Sequence, residues 1–118
     1  MNITYVEYPK CTTCKRGKKW LEEHNFSFQE RNIKEKNPTV EELKHWHQLS
    51  KLPLKRFFNT SGMVYRELDL KNKLFNMSEE EQFTLLASDG MLVKRPIIVT
   101  DTTVLVGMKE KEWEEALL

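Results

Sequence analysis

Two cysteines, Cys11 and Cys14, are the only ones in the chain, in the run Tyr8-Pro9-Lys10-Cys11-Thr12-Thr13-Cys14-Lys15-Arg16. Cysteines three apart on a helical turn fall within the ~4.4–6.8 Å Cα separation that a disulfide needs, so the two can exchange electrons as a pair. The attacking species is the thiolate. Free cysteine titrates near ~8.5, and helix N-termini, neighbouring cations and C-x-x-C spacing are the settings that lower the value. Cys11 combines all three, with Lys10, Lys15 and Arg16 close in sequence. Two other uses of such a pair are open. A structural zinc site needs four ligands, and the remaining candidates are His24, His45 and His47, the last two with the wrong spacing for a finger. An inert buried pair is the other, since unreacted cysteine packs as a small hydrophobe. Against it, Cys11 follows Pro9-Lys10 directly, where a loop tip is partly exposed.

The elements that must hold this pair are a strand and a helix. Ile3 to Glu7 alternates apolar and polar, as a half-buried strand does, and Tyr8-Pro9-Lys10 breaks the pattern. Cys14, Gly17, Trp20, Leu21 and His24 then recur near helical spacing. Both cysteines therefore lie in or just before the first turn of a helix, where unpaired amides and a partial positive charge favour an anion. Lys15, Arg16, Lys18 and Lys19 near the helix start, with Glu22 and Glu23 near its end, oppose the macrodipole preference. Pairs Lys18/Glu22 and Lys19/Glu23 offer only about 0.2–0.5 kcal/mol each in relief, which leaves a positive field near the thiol.

Phe26 to Ile33 alternates again, with Phe26, Phe28 and Glu30 on one side, giving a second strand parallel to the first. After Asn37-Pro38, Thr39 and Glu42 form a capping box that opens a helix through Val40, Leu43, Trp46 and His47. Leu43, Trp46 and His47 read as a packing stripe on that helix, and neither His45 nor His47 is given a functional role. Lys51 to Phe58 reads as a short helix with Phe57 and Phe58 inward, Asn59-Thr60-Ser61-Gly62 as a turn, and Tyr65 to Leu74 as a short helix and loop. Ser78 opens a helix with acidic residues in its first turn, burying Phe83, Leu85, Leu86 and Ala87 and stopping at Gly90. Residues 97 to 106 read as a β-hairpin, and a last helix over Lys109 to Leu117 turns Trp113 and Leu117 inward.

At 118 residues the chain makes one α/β domain, with a β-α-β…β-β-α core over about 1–36 and 91–118 and a helical insertion over about 37–90. A net charge of +1, with 31% charged residues, gives no overall bias toward nucleic acid or membrane. There is no run of about 18 apolar residues and no basic-then-apolar leader, which points to the cytoplasm. In that compartment a C-x-x-C beside a β-then-α pattern is catalytic or sensing more often than a permanent staple.

This order, with Tyr8-Pro9-Lys10-Cys11-x-x-Cys14 and Arg95-Pro96-Ile97-Ile98 as its most specific pieces and Asn59-Thr60-Ser61-Gly62 and Ser88 to Leu92 as weaker ones, resembles the ArsC/Spx family of arsenate reductases and redox regulators. The resemblance covers essentially the whole chain. It implies a thioredoxin/glutaredoxin-like fold, with Arg95 and Pro96 beside the thiol and the peptide between them cis. It also implies Cys11 as nucleophile, Cys14 as resolving cysteine in a redox disulfide, and Arg95 steadying an oxyanion, with Lys10, Thr12, Thr13 and Pro96 at the substrate. Arginine suits the oxyanion because its planar fork donates two hydrogen bonds and stays charged.

The two further arginines of the reductases map near Asn59 and Met108, neither cationic, with Lys55, Arg56 and Lys109 close by; that weakens the expectation of efficient arsenate reduction. No metal or organic cofactor is implied. The substrate would be a small oxyanion or disulfide, reduced at the expense of an external thiol such as glutathione/glutaredoxin or thioredoxin, by a monomer that binds neither nucleic acid nor membrane. The regulatory branch implies a different partner, the C-terminal domain of the RNA polymerase α subunit. Those regulators carry an extended basic tail, and this sequence stops at Leu118, after the last helix.

Overall fold

The computed structural model describes residues 1–118. Its sheet is built around β1 (Thr4–Glu7), which pairs in parallel with β2 (Gln29–Asn32) and antiparallel with β3 (Ile97–Val99); β3 in turn pairs antiparallel with β4 (Val104–Val106). The strand order is β2-β1-β3-β4. A crossover helix, α1 (Thr12–Glu23), joins β1 to β2, as a parallel pair requires. Asn25 ends it in the left-handed conformation, φ 62°.

Alternation along β1 divides the core. Ile3 and Tyr5 face α1 and the last helix, α6 (Glu110–Leu117), and are buried with Trp20, Leu21, Ile98, Trp113 and Leu117. Val6 faces the opposite way and joins Ile97, Val104 and Val106 under the inserted helices. The result is three layers. The insertion comprises α2 (Val40–Ser50), α3 (Met63–Glu67), α4 (Leu70–Lys73) and α5 (Glu79–Ser88), with 3-10 turns at Leu54–Phe57, Leu74–Asn76 and Gly90–Leu92. It covers an entire face of the sheet with Leu43, Trp46, Phe57, Phe58, Phe83 and Leu86. His47 lies against the ring edges of Phe57 and Phe83, a packing role.

Both long inserted helices start on capping boxes, Thr39 with Glu42 and Ser78 with Glu81, each satisfying two otherwise unpaired amides. Glu42 also takes a bidentate pair from Arg31 at 2.6 and 2.9 Å, which ties β2 to α2. Arg31 lies over the Trp46 ring, 5.7 Å from its centre.

Several local expectations are corrected. Regular pairing in β2 begins at Gln29, and Phe26 and Phe28 precede it while still packing on Trp20 and Tyr5. Lys18 bridges to Glu30 on β2 at 2.8 Å in place of Glu22, and Lys19 forms no ion pair with Glu23. Tyr65 to Leu74 holds the end of α3 and all of α4, broken by Asp69 at φ 53°. Gly90 is not a left-handed stop: α5 ends on extended Asp89, and a Cβ on Gly90 would run into the carbonyl oxygen of Ile33. The glycine is there for close approach to the end of β2.

Two outcomes follow from this packing. Gly90→Ala should destabilise the fold by about 1–3 kcal/mol in urea melts, because the obstructing atom is backbone and cannot swing aside. Hydrogen bonds from Arg31, opposed by burial and helped by Thr39, hold the Glu42 carboxyl down at about 2. Its folded value lies below the unfolded ~4.3, so its stabilisation is complete above that pH and drains away as pH falls toward about 2. Arg31→Gln should therefore cost stability near neutrality and little at pH 2; an equal loss at both would remove the pair as the cause.

Candidate active site

Cys11 is the N-cap of α1, with extended backbone (φ −86°, ψ 119°), and its sulfur accepts the Cys14 amide at 3.3 Å. The reactive atom thus occupies the place that a serine or aspartate oxygen usually takes at a helix start. The turn that delivers it is closed by the Cys11 amide donating to the Tyr8 carbonyl at 2.9 Å. Cys11 is half-buried and Cys14 is buried, and both are free thiols. Cys14 is fixed from the sheet side, where the Tyr5 hydroxyl donates to its carbonyl at 2.6 Å.

The environments drive the two sulfurs apart. Burial alone would push the Cys11 thiol up, but the thiol and amide of Cys14, the Arg95 charge and the Thr13 amide outweigh it and hold Cys11 below its ordinary value. Burial pushes Cys14 up to about 12; the Tyr8 amide opposes this, while the contact with Cys11 and the charges of Cys11 and Glu7 add to it. Cys11 is therefore the more acidic of the two thiols, and Cys14 holds its proton more tightly. The cation that acts on Cys11 is Arg95, distant in sequence. Lys10, Lys15 and Arg16, expected from sequence to supply the field, stand exposed. Glu7, at the end of β1, is a buried carboxyl raised by burial and by Glu30, against Lys18.

Arg95 leads into β3 through a cis peptide to Pro96. Its Nη1 donates to the carbonyls of Val93 and Met91 at the long distances of 3.4 and 3.5 Å, and its guanidinium lies over the Tyr8 ring, 5.4 Å from the centre. Sequence reasoning assigned no task to the Tyr8 side chain, since nothing in a β-then-α pattern shows that a residue 87 positions away will settle on it.

A cavity of about 510 Å³ opens at Cys11. Its lining includes Thr13 and Arg95 from the expected set, together with Arg56, Lys94 and Lys109, and no carboxylate. Asn59 and Met108 line it too, so the positions mapped to the missing arginines do reach the site. Arg56 and Lys109 reach it as well, whereas Lys55 does not. Of the other expected substrate residues, Lys10 and Thr12 are exposed and Pro96 is buried, and none of the three lines this cavity. Gly107, in the left-handed region at φ 80°, forms part of the wall and is held by its amide to the Pro96 carbonyl at 2.8 Å. An anion entering here meets cations and the Cys11 sulfur at a helix start.

Comparison with known proteins agrees with this arrangement. The ArsC family pattern matches residues 6–116. The uncharacterized protein YusI of Bacillus subtilis is 56% identical over 98% of both chains. The regulatory protein MgsR of the same organism is 31% identical over 93% of this chain and 86% of its own. A crystal structure of an ArsC family related protein from Bacteroides fragilis superposes with a TM-score of 0.95 at 56% identity, covering 98% of this chain and 97% of the other. The arsenate reductase of Vibrio cholerae does so with a TM-score of 0.88 at 26% identity over 99% and 98%. By sequence and by its thioredoxin-like fold, the chain belongs to the ArsC family.

Proposed function

We propose that this protein is a cytoplasmic thiol–disulfide oxidoreductase of the arsenate reductase type, with Cys11 as nucleophile and Cys14 as resolving cysteine. The observation that carries the reading is the Cys11 sulfur, capped by the Cys14 amide at 3.3 Å, at the mouth of a cation-lined cavity; the shifts agree with it, Cys11 lowered and Cys14 raised to about 12. With arsenate, the Cys11 thiolate bonds to arsenic and displaces water. Cys14 then loses its proton and attacks the Cys11 sulfur. The As–S bonding pair leaves with arsenic, which falls from As(V) to As(III), and a Cys11–Cys14 disulfide remains. A disulfide substrate follows the same course, with a thiolate as leaving group in both steps. An external dithiol or two monothiols return the pair to its reduced form. Arg95 stabilises the bound anion and the attacking thiolate alike.

A second reading is supported by the likeness to MgsR: the same pair as a redox switch in a regulator whose partner is the C-terminal domain of the RNA polymerase α subunit. Saturable binding to that domain, dependent on the oxidation state of the pair and without turnover, would decide for it.

The first test is the rate of Cys11 alkylation against pH in a Cys14→Ser background, with and without arsenate. The midpoint should lie below ~8.5 and arsenate should slow the reaction; an ordinary midpoint with no arsenate effect would defeat the enzyme reading. Arg95→Gln should raise the midpoint and abolish the protection. In turnover assays, Cys11→Ser should be inactive, and Cys14→Ser should accumulate a mixed disulfide with glutathione, visible by mass spectrometry. Full multiple turnover by Cys14→Ser without glutathione would exclude Cys14 as the resolving group.

A further inference from the structure

Arg95 faces an unusual mechanical problem. It must hold a fixed place beside Cys11, yet any carboxylate that anchored it would cancel the charge for which it is there. None of the four ion pairs in the chain includes Arg95. Its Nε is buried without a partner, and its two carbonyl contacts, at 3.4 and 3.5 Å, exceed the 2.7–3.2 Å of a good N–H···O bond. The remaining close support is the Tyr8 ring, 5.4 Å from the guanidinium carbon and within the ~6 Å at which a ring face attracts a cation.

Tyr8 is well placed for this duty. Its side chain is half-buried against the larger core cluster, so the ring is itself braced. Its carbonyl closes the turn that delivers Cys11, at 2.9 Å from the Cys11 amide. One residue therefore touches the thiol's own backbone and the cation that serves the thiol.

We propose that Tyr8 is a positioning residue for Cys11, its ring supporting the Arg95 guanidinium next to the thiolate without neutralising it. A ring quadrupole attracts the cation while contributing no net charge, so Arg95 keeps its full field for the sulfur and for an incoming anion. The role rests on the same assignment of Cys11 and Arg95 as the proposed function, but it is read on the thiol itself and not through turnover. A protein that reduces nothing would sink the oxidoreductase reading and leave this one standing.

The test uses the full chain carrying Cys14→Ser, with Cys11 alkylation by iodoacetamide followed across pH. Tyr8→Leu should move the midpoint upward, with thiolate reactivity near neutrality falling about two- to fivefold, the factor that a ring–cation contact supplies. Tyr8→Phe, which keeps the ring, should restore the original profile. Circular dichroism checks the fold, and Tyr8→Met gives a second non-aromatic variant should Tyr8→Leu not fold. In an Arg95→Gln background, Tyr8→Leu should have no further effect, because the residue acts through Arg95. An unchanged midpoint in folded Tyr8→Leu, an equal shift in Tyr8→Phe, or a shift that persists without Arg95 would each overturn the proposal; the last would mark a merely structural role.

Discussion

The hydrogen bond from the Cys14 amide to the Cys11 sulfur is the contact on which this protein depends. It is at once the cap of α1 and part of what makes the Cys11 thiol more acidic, so helix stability and thiol acidity share one bond. Any change that makes the sulfur a poorer acceptor also releases an amide at the start of the helix. The cysteine three residues later is fastened to the sheet by the Tyr5 hydroxyl, so the helix start cannot drift when the cap is used for chemistry. A rigid second sulfur beneath a polarised first one is the geometry that intramolecular disulfide exchange needs.

The paired strands, the crossover helix and the hairpin were legible because their signals are local. Alternation, capping residues and the break at Pro9 carry them within a few positions of chain. The Thr39 and Glu42 box was readable for the same reason. What escaped the sequence was set by contacts between distant segments. Lys18 has an acidic neighbour at helical range, Glu22, but bridges to Glu30 on the adjacent strand. The Tyr65 to Leu74 stretch holds the end of α3 and all of α4, helices too short for periodicity to register. Gly90 looked like a helix stop and is a point of contact with the Ile33 backbone.

The candidate site divides in the same way. Cys11 and Cys14 announce themselves by spacing; Cys11 stays half-buried because it is the extended cap before the helix, while Cys14 is buried in its first turn. The surrounding charge did not follow from neighbours in sequence: Lys10, Lys15 and Arg16 point to water, and Arg95 arrives from the far end of the chain. The likeness to a known family supplied Arg95 in advance and put Arg56 and Lys109 close to the site, whereas the support of Arg95 by Tyr8 and the place of Lys94 in the cavity wall are set by contacts between distant segments.

The cavity walls have separate origins. The sulfur and its cap belong to the β1–α1 turn, whereas Arg56, Asn59 and Ser61 come from the insertion, and Gly107, Met108 and Lys109 from the segment before α6. The sulfur and most of the wall around it are thus encoded in different stretches of the gene, with Arg95 serving both. Substitutions at Arg56, Asn59, Ser61, Met108 or Lys109 would change the wall without touching the Cys11 cap. The size and charge of what reaches the sulfur are in this way set by segments that the helix start does not depend on.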